Sequence, residues 1–373
     1  MVRGPSKDAG FRVGPLSDPP ARRIAFVELW RIGDAIAATA GLAALATTRP
    51  EAQIAIVAHP EFGDPLFRLL PNAVHIPFPA FWTRGKLPRD KYLPWTIDYG
   101  ALARVRRALR RFAPQTYLLF RGDVREQLFF SGVYGAPMVD FRNPLRLPWV
   151  QQVSRPSRVP RYQEHLALVG AWTGSAVVRE PMLADVPAHD RSGSYVLIHP
   201  GGSWRFKQWS ADKLAAVIRA LQAARVPVKL IGGEVDRPMI ARIQDRLSER
   251  VDTLFPALSD FYAAVAQARV VICNNSAALH IAEALGTPCV SITGPNDPVR
   301  WGTYRGHSHT LERSVGLPCH PCAEKHCVRP DHPCIEDVQV DDVLQALVSY
   351  GIHTHRPAPA LGPAESDPQR VTT

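Results

Sequence analysis

An α/β fold of two doubly wound parallel sheets is predicted by three observations on the 373 residues of this chain. Short apolar runs alternate with amphipathic stretches in both halves, the pattern of repeated strand-helix-strand units. The chain is longer than one hydrophobic core usually supports, and its 46% hydrophobic residues suffice for two. The sharper motifs all fall where an apolar run ends, which is where the loops of a parallel sheet gather a ligand.

The elements follow in order. In the first half, Arg23 to Leu29 reads as strand, Asp34 to Thr48 as helix, Gln53 to Ala58 as strand, Glu61 to Leu70 as helix, Tyr99 to Phe112 as helix and Thr116 to Phe120 as strand. The second half repeats the pattern: strand Tyr195 to His199, helix Ser210 to Ala224, strand Val228 to Ile231, helix Asp236 to Glu249, strand Val270 to Cys273, helix Ser276 to Leu285 and strand Cys289 to Ile292. Phe141 to Pro160 is rich in Pro and Arg, and Ala184 to Ser194 is polar, so the boundary is placed near residue 180. Domains over 23–180 and 181–352 are expected, with disordered tails at 1–22 and 353–373 that are rich in Pro, Gly, Ala and Ser. Two such domains facing each other would hold ligands in the cleft between them.

Composition excludes several classes. The apolar run from Ile24 to Thr48 is interrupted by Glu28, Arg31 and Asp34, so no segment reads as membrane-spanning. Six cysteines in so long a chain do not suggest a secreted disulfide scaffold, and a cytoplasmic location is expected. The net charge of +10 is uneven: residues 1–180 hold 25 Lys and Arg against 14 Asp and Glu, the remainder 19 against 20. The densest basic run, Arg104 to Arg111, lies on a predicted helix. Phe78 to Tyr99 interleaves Phe81, Trp82, Tyr92 and Trp95 with Arg84, Lys86, Arg89 and Lys91. These are either solvated surfaces or docking surfaces for a polyanion, whether nucleic acid, anionic lipid or a phosphorylated substrate.

The most informative stretch is Val196-Leu-Ile-His-Pro-Gly-Gly-Ser203, an apolar strand ending in a glycine loop that is expected to open a helix and so aim backbone N–H groups at a phosphate. Arg31-Ile-Gly-Asp34, Gly232-Gly-Glu234, Asn274-Asn-Ser276 and Gly294-Pro-Asn-Asp297 occupy corresponding strand ends. Singly, each reads as a tight turn; together they describe a cleft.

Through Gly33-Asp34, His199-Pro-Gly with Lys207 and Trp209, Gly232-Gly-x-x-Asp236, Asn275-Ser276 through His280, Gly286-Thr-Pro288, Gly294-Pro295 and a terminal cysteine cluster, the chain resembles glycosyltransferase family 9, the ADP-heptose:lipopolysaccharide heptosyltransferases. The resemblance covers about Arg23 to Gly351 and implies the GT-B fold, two facing Rossmann-like domains with an interdomain cleft. It also implies an inverting transfer of heptose from an ADP-sugar to a glycan hydroxyl, with no cofactor required for the chemistry.

Roles follow from the resemblance. Asp34 matches the catalytic carboxylate that takes the acceptor's proton, although its helix position alone would favour an N-cap. Lys207 would contact the departing diphosphate, its alternative being an ordinary exposed lysine. Gly201, Gly202 and Ser203 would supply backbone donors, and Asn275, Ser276 and Gly294 would complete the donor site around a helix N-terminus. Glu234 matches a ribose-hydroxyl acceptor, or is a turn carboxylate. His280 reads as a core histidine. The chain departs from the family's Asp-Ser-Gly or Asp-Thr-Gly with Asn275-Ser276-Ala277, removing a carboxylate from the neighbourhood of a diphosphate.

Arg104, Arg107 and Arg111 lie about a turn apart and are expected to hold an anionic glycan or glycolipid acceptor, with peripheral contact to the inner membrane surface. Cys319-x2-Cys322-x4-Cys327-x6-Cys334 forms a cysteine-rich loop over 319–334. It could hold a structural Zn or Fe, or consist of thiols packing a compact loop. Cys273 and Cys289 fall in predicted strands and are expected in the core. A nucleotide-sugar epimerase on the same fold is the alternative enzyme. A nucleic-acid-binding role is disfavoured, because the cysteines and the excess positive charge lie in different halves.

Overall fold

Strand β1 (Arg23–Glu28) buries every residue after its first, Glu28 included, as expected of a parallel strand covered on both faces. It is followed by α1 (Ile32–Thr48), β2 (Gln53–Ala58), α2 (Asp64–Leu69), β3 (Val74–Pro77), α3 (Tyr99–Phe112), β4 (Thr116–Leu119), α4 (Val124–Val133), β5 (Met138–Phe141), β6 (Val150–Val153) and α5 (Arg161–Thr173). All six strands join one parallel sheet in the order β3-β2-β1-β4-β5-β6. On one face α3 and α4 bury Val105, Leu109, Phe112, Phe130 and Val133 against Ala25, Val27 and Tyr117. On the other, α1 and α5 bury Ala38, Leu42, Leu45, Leu168 and Val169 against Ile24, Phe26 and Leu118. The small residues of α1 let α5 approach closely: a Cβ on Gly41 would come within 2.9 Å of the His165 Cβ.

The second sheet is built the same way from β7 (Val196–His199), α6 (Ala211–Ala223), β8 (Val228–Ile231), α7 (Arg237–Gln244), β9 (Asp252–Leu254), α8 (Leu258–Ala266), β10 (Val270–Asn274), α9 (Ala277–Leu285), β11 (Cys289–Thr293), α10 (Pro298–Trp301) and β12 (His309–Glu312), with α11 (Pro333–Glu336) and α12 (Val340–Val348) closing the unit. Its strand order is β12-β11-β10-β7-β8-β9, again parallel. Cys273 and Cys289 are buried within β10 and β11.

This is a computed structural model that describes residues 21–83, 97–186, 193–320, 322, 327–329 and 331–354. Nearly all of both predicted tails lies outside the described residues, as do Arg84, Lys86, Arg89, Lys91, Tyr92 and Trp95 of the basic-aromatic segment. The chain divides into two compact units, Met1–Ser157 with Arg161–Pro181, and Arg158–Pro160 with Met182–Thr373.

Two expectations about local structure are corrected. The glycine loop after β7 does not open an α-helix; it leads through a single 3-10 turn, Arg205–Lys207, and α6 begins only at Ala211. Ser210 caps α6, its hydroxyl accepting from the Lys213 N–H at 3.2 Å, so the amides of Gly201, Gly202 and Ser203 are loop amides without a helix dipole behind them. The helix expected over Asp236 to Glu249 is shorter, Arg237–Gln244, with Asp236 left at the end of a preceding 3-10 turn.

Candidate functional site

Each sheet has one place where the chain reverses its direction of winding, between β1 and β4 in the first unit and between β7 and β10 in the second. There the loops past the strand C-termini diverge and leave a crevice. The residues with unusual chemistry collect at both places.

In the first unit, Asp34 is the third residue of α1 and does not cap it; Arg31 holds the cap position without a side-chain bond. The Asp34 carboxylate accepts from Arg121 Nη1 at 2.8 Å and from Arg161 Nε at 3.4 Å. Arg121 follows β4, and its guanidinium lies 4.2 Å from the centre of the Trp30 ring. Arg161, the first residue of α5, is 2% exposed. It donates to Glu164 Oε2 at 2.6 Å and to the Phe120 carbonyl at 3.2 Å, and lies 3.6 Å from Glu28. Arg155 bonds Glu164 as well, and donates to the Arg121 carbonyl at 2.7 Å. His165 Nε2 is 3.2 Å from Glu28 Oε2. Burial, with Arg161 beside it, pushes the His165 imidazole below its ordinary pKa despite that carboxylate, and its other ring nitrogen, Nδ1, lies 3.2 Å from the Arg161 carbonyl. Three buried carboxylates are thus matched by arginines brought in from the loop after β4, the loop after β6, and α5.

A second layer of acid groups lies behind the first. Glu126 accepts from Trp30 Nε1 at 3.0 Å, and burial, reinforced by Glu28, Asp123 and Asp140, pushes its carboxyl well above the usual range against the pull of Arg121. Burial also raises Asp140 to about 6, although the Gln127 amide and the Gly122 and Phe141 N–H groups all donate to it.

The second unit is organised by one amide. Asn274 ends β10, 2% exposed; its Nδ2 donates to the carbonyls of Pro200 at 2.7 Å and Gly201 at 3.1 Å, and its Oδ1 accepts from the Trp209 N–H at 3.1 Å. Both ends of the glycine loop are held by this side chain. A Cβ on Gly201 would fall 2.3 Å from Asp236 Oδ1 and 2.7 Å from His199 Cε1, so only glycine fits. His199 bridges its neighbours, with Nε2 3.6 Å from Asp236 Oδ2 and Nδ1 3.2 Å from Ser276 Oγ. Burial alone would raise the Asp236 carboxyl, but His199 and the Gly233 N–H outweigh it and hold the group below its usual range. Ser276 occupies the cap position of α9, yet its hydroxyl makes no cap bond and engages His199 instead.

The other expected donor residues are placed as follows. Lys207 ends the 3-10 turn with its ammonium 4.9 Å from the centre of the Trp204 ring. Gly202 packs beside the Lys207 carbonyl and Ser203 is exposed. Glu234 is exposed and clasped by Arg237 at 2.6 and 2.7 Å, a hydrogen bond that lowers its carboxyl pKa. Asn275 is committed to the protein: Nδ2 donates to the Trp301 carbonyl at 2.7 Å, and Oδ1 accepts from Asn296 at 2.6 Å. A carboxylate could not donate to Trp301, which is a physical reason for the amide here. Gly294 serves packing, since a Cβ would come within 2.9 Å of the Ile335 Cβ. His280 is half-buried with its ring 5.9 Å from that of Trp301, not a core histidine.

One further expectation is without support, and another is narrowed by placement. Cys319, Cys322, Cys327 and Cys334 all line one cavity of about 20 Å³ with Phe206, Pro295, Leu317 and His320. All four are free thiols, and burial, with the other three cysteines nearby, pushes Cys334 up to about 11. Among the described residues no group of three or more His, Cys, Asp or Glu could hold a metal ion, so a structural Zn or Fe is unsupported and the cluster is described as packed thiols. Nor does the structure bring Arg107 and Arg111 to Asp34. The C-terminus of α3 lies at the N-terminal edge of the sheet, where Arg23 donates to the Ala113 carbonyl at 2.8 Å, whereas Asp34 lies beyond the opposite end of β1, roughly 20 Å away along a six-residue strand. Arg104, nearer the start of α3, is 3.6 Å from Asp98.

Sequence reasoning missed Glu28, Arg121, Arg161, Glu164 and His165 as site residues, and named Asn274 and Asp236 only within motifs, without a role of their own. The available signal was a polar residue closing an apolar strand, as in Glu28 and Asn274.

Residues 173–332 match the family model described as glycosyltransferase family 9 (heptosyltransferase). A stretch of 118 residues is 32% identical to lipopolysaccharide heptosyltransferase 3 of Escherichia coli, covering 29% of this chain and 33% of that protein. Another of 164 residues is 23% identical to lipooligosaccharide heptosyltransferase 2 of Campylobacter jejuni, covering 42% and 52%. The chain thus spans between a third and about half the length of these curated relatives. Among solved structures, E. coli heptosyltransferase WaaC with ADP matches with a TM-score of 0.68 at 16% identity, over 88% of this chain and 99% of that one. E. coli ADP-heptose lps heptosyltransferase II matches with a TM-score of 0.67 at 16% identity, over 88% and 98%. The chain is heptosyltransferase-like and has their GT-B fold, with the family 9 match lying mainly in its second unit.

Proposed function

We propose that this chain is an inverting glycosyltransferase that moves heptose from ADP-heptose to a hydroxyl of an anionic glycan, with lipopolysaccharide as the acceptor its relatives' names suggest and the inner core as the part the family resemblance implies. The observation that carries the reading is Asp34, buried at the winding reversal of the first sheet and oriented by two arginines, in a chain whose second sheet has a glycine cradle at the same topological place. A likeness to WaaC, which has been solved with ADP and with ADP-2-deoxy-2-fluoro heptose, supports a nucleotide-sugar donor.

In this reading Asp34 removes the proton of the acceptor hydroxyl as its oxygen attacks the anomeric carbon. The bond from that carbon to the diphosphate oxygen breaks on the opposite face, inverting the centre, and ADP leaves. Arg121 and Arg161 fix the direction of the carboxylate. Lys207, the amides of Gly201, Gly202 and Ser203, and the first N–H groups of α9 beside Ser276 receive the charge that builds on the diphosphate. The donor-side chemistry then needs no divalent cation. A cytoplasmic location with peripheral contact to the inner membrane surface goes with a lipid-anchored acceptor.

The test is mass spectrometry of products from ADP-, UDP- and GDP-sugars with a truncated lipopolysaccharide acceptor. Transfer from ADP-heptose is expected, together with its loss in Asp34→Ala and unchanged ADP binding by that variant. Isomerised donor formed without acceptor would replace transfer by epimerisation, and an active Asp34→Ala would remove Asp34 as the base.

A further inference from the structure

Ser276 stands at the N-terminus of α9, and its hydroxyl is tied to a histidine instead of capping the helix. That histidine, His199, closes β7 and is 8% exposed. Its ring nitrogens are held from two sides: Nδ1 lies 3.2 Å from Ser276 Oγ, and Nε2 lies 3.6 Å from Asp236 Oδ2. His199 comes from the end of β7, Ser276 from the loop after β10 and Asp236 from the 3-10 turn after β8. The three therefore meet only where the second sheet reverses its winding.

The charge on Asp236 fixes the polarity of this chain of groups. Its carboxyl is held below the usual range by His199 and the Gly233 N–H, and a carboxylate at that distance keeps a proton on Nε2. In the neutral imidazole Nδ1 is then an acceptor, and the Ser276 hydroxyl must donate to it. In the imidazolium both nitrogens donate, so Nδ1 gives its hydrogen to Ser276 Oγ, and the Ser276 hydroxyl hydrogen is released toward a ligand. One proton on His199 thus turns Ser276 from a group that shows a ligand only lone pairs into a donor. The ring also meets Phe261 of α8, at 5.7 Å between ring centres, and its register partner on β10 is Cys273, a thiol whose pKa burial raises. Of the charged groups on the adjoining loops, Glu234 is clasped by Arg237, and the Lys207 ammonium lies over the Trp204 ring.

We propose that His199 is a positioning residue whose protonation sets the Ser276 hydroxyl to donate to the diphosphate of the nucleotide sugar. The inference rests on the donor reading given above and adds a consequence to it: binding the donor takes up a proton. Imidazole is the side chain that changes protonation nearest neutral pH, and a diphosphate brought beside it favours the imidazolium. Donor affinity then falls as pH rises through the neutral range.

The experiment is isothermal calorimetry of ADP-heptose binding to the full-length protein without acceptor, from about pH 6 to about pH 8, in pairs of buffers that differ in ionisation enthalpy. The diphosphate diester of that ligand has no group that titrates in this range, so any proton exchanged belongs to the protein. Binding is expected to tighten about tenfold toward the lower pH, with uptake of up to about half a proton. His199→Gln should bind with one affinity across the range and take up none. Ser276→Ala, which keeps the His199–Asp236 pair and removes only the hydroxyl, should lose the tightening. Binding by the unaltered protein without uptake, or uptake that persists in His199→Gln, would overturn the proposal. Tightening that persists in Ser276→Ala would mean that His199 acts on the ligand directly, and the relay through Ser276 would fall. Absence of ADP-heptose binding at every pH would overturn the donor reading itself, and this inference with it.

Discussion

The two winding reversals share a topology and differ in how they are built. Past β1 and β4, position is set by charge: Glu28, Asp34 and Glu164 are fixed by Arg121, Arg155 and Arg161, each arriving from a different place in the sequence. Past β7 and β10, position is set mainly by one Asn274 amide holding three backbone atoms, with a glycine admitting a single acid-base pair, His199 and Asp236. A buried charge network is stiff but fails when one member is removed, since the others are then buried without a partner. A cradle of amides and hydroxyls with one His199–Asp236 pair holds far less charge than the first reversal, which suits a site whose ligand supplies the charge.

The sharpest way to break this contrast is Asp34→Asn, expected to lower the turnover rate by about 10²- to 10⁴-fold while donor affinity holds; equal losses in both would show that the two reversals are not separable. Next is Arg161→Met, which leaves Glu28 and Glu164 without their shared counter-charge. Denaturant unfolding should show a loss of about 3–5 kcal/mol, whereas a neutral result would mean that the network is not held by charge.

Asp140 tests the second acid layer. Its folded pKa of about 6 exceeds the ordinary value of 3.8, so the folded form keeps a proton that the unfolded chain has already lost. Its contribution to stability is therefore full below about pH 4 and lost as pH rises through about 6, in total about 3 kcal/mol. Asp140→Asn should flatten that part of the stability profile, since Gln127 can turn its unpartnered Oε1 toward the new amide; an unchanged slope would place the titration elsewhere.

In the second unit the effects should be smaller and fall on the donor. Asn274→Ala leaves the Trp209 N–H buried and unpaired, costing about 1–3 kcal/mol, and should raise the donor KM more than it lowers kcat. Glu234→Gln should leave stability unchanged, because its pair with Arg237 is exposed. A donor KM raised about tenfold would support a ribose contact, and an unchanged one would reduce Glu234 to a surface partner of Arg237.

Much of this fold was legible where a single physical requirement dominates. β1, β2, β7, β8, β10 and β11 are apolar runs covered on both faces, and the alternation of Arg with apolar residues in α3 marks its bounds. The edge strands β3, β6, β9 and β12 are three or four residues long and part exposed, so they lack that signal. Helices α4 and α5 were hidden for another reason: they bury Glu126, Gln127, Arg161, Glu164 and His165, which reverses the polarity a helix normally shows. Asp34 could be singled out from its motif, but Arg121 and Arg161 stand 87 and 127 positions away. A pairing between charges on separate elements leaves no local trace. The arginines of α3 were visible as a basic run; only the direction of the helix shows that its end lies at the opposite edge of the sheet from Asp34.

The Asn274 clamp has a consequence for how such a chain can change. Pro200, Gly201 and Trp209 are secured from β10, outside the segment they bracket, so the segment between them behaves as a cassette gripped at both ends. Its interior ahead of Lys207, Ser203 to Phe206, is expected to accept another sequence of equal length without moving its attachment points, and a new donor preference could be installed there by loop transplantation while the sheet and the acid-bearing unit stay as they are.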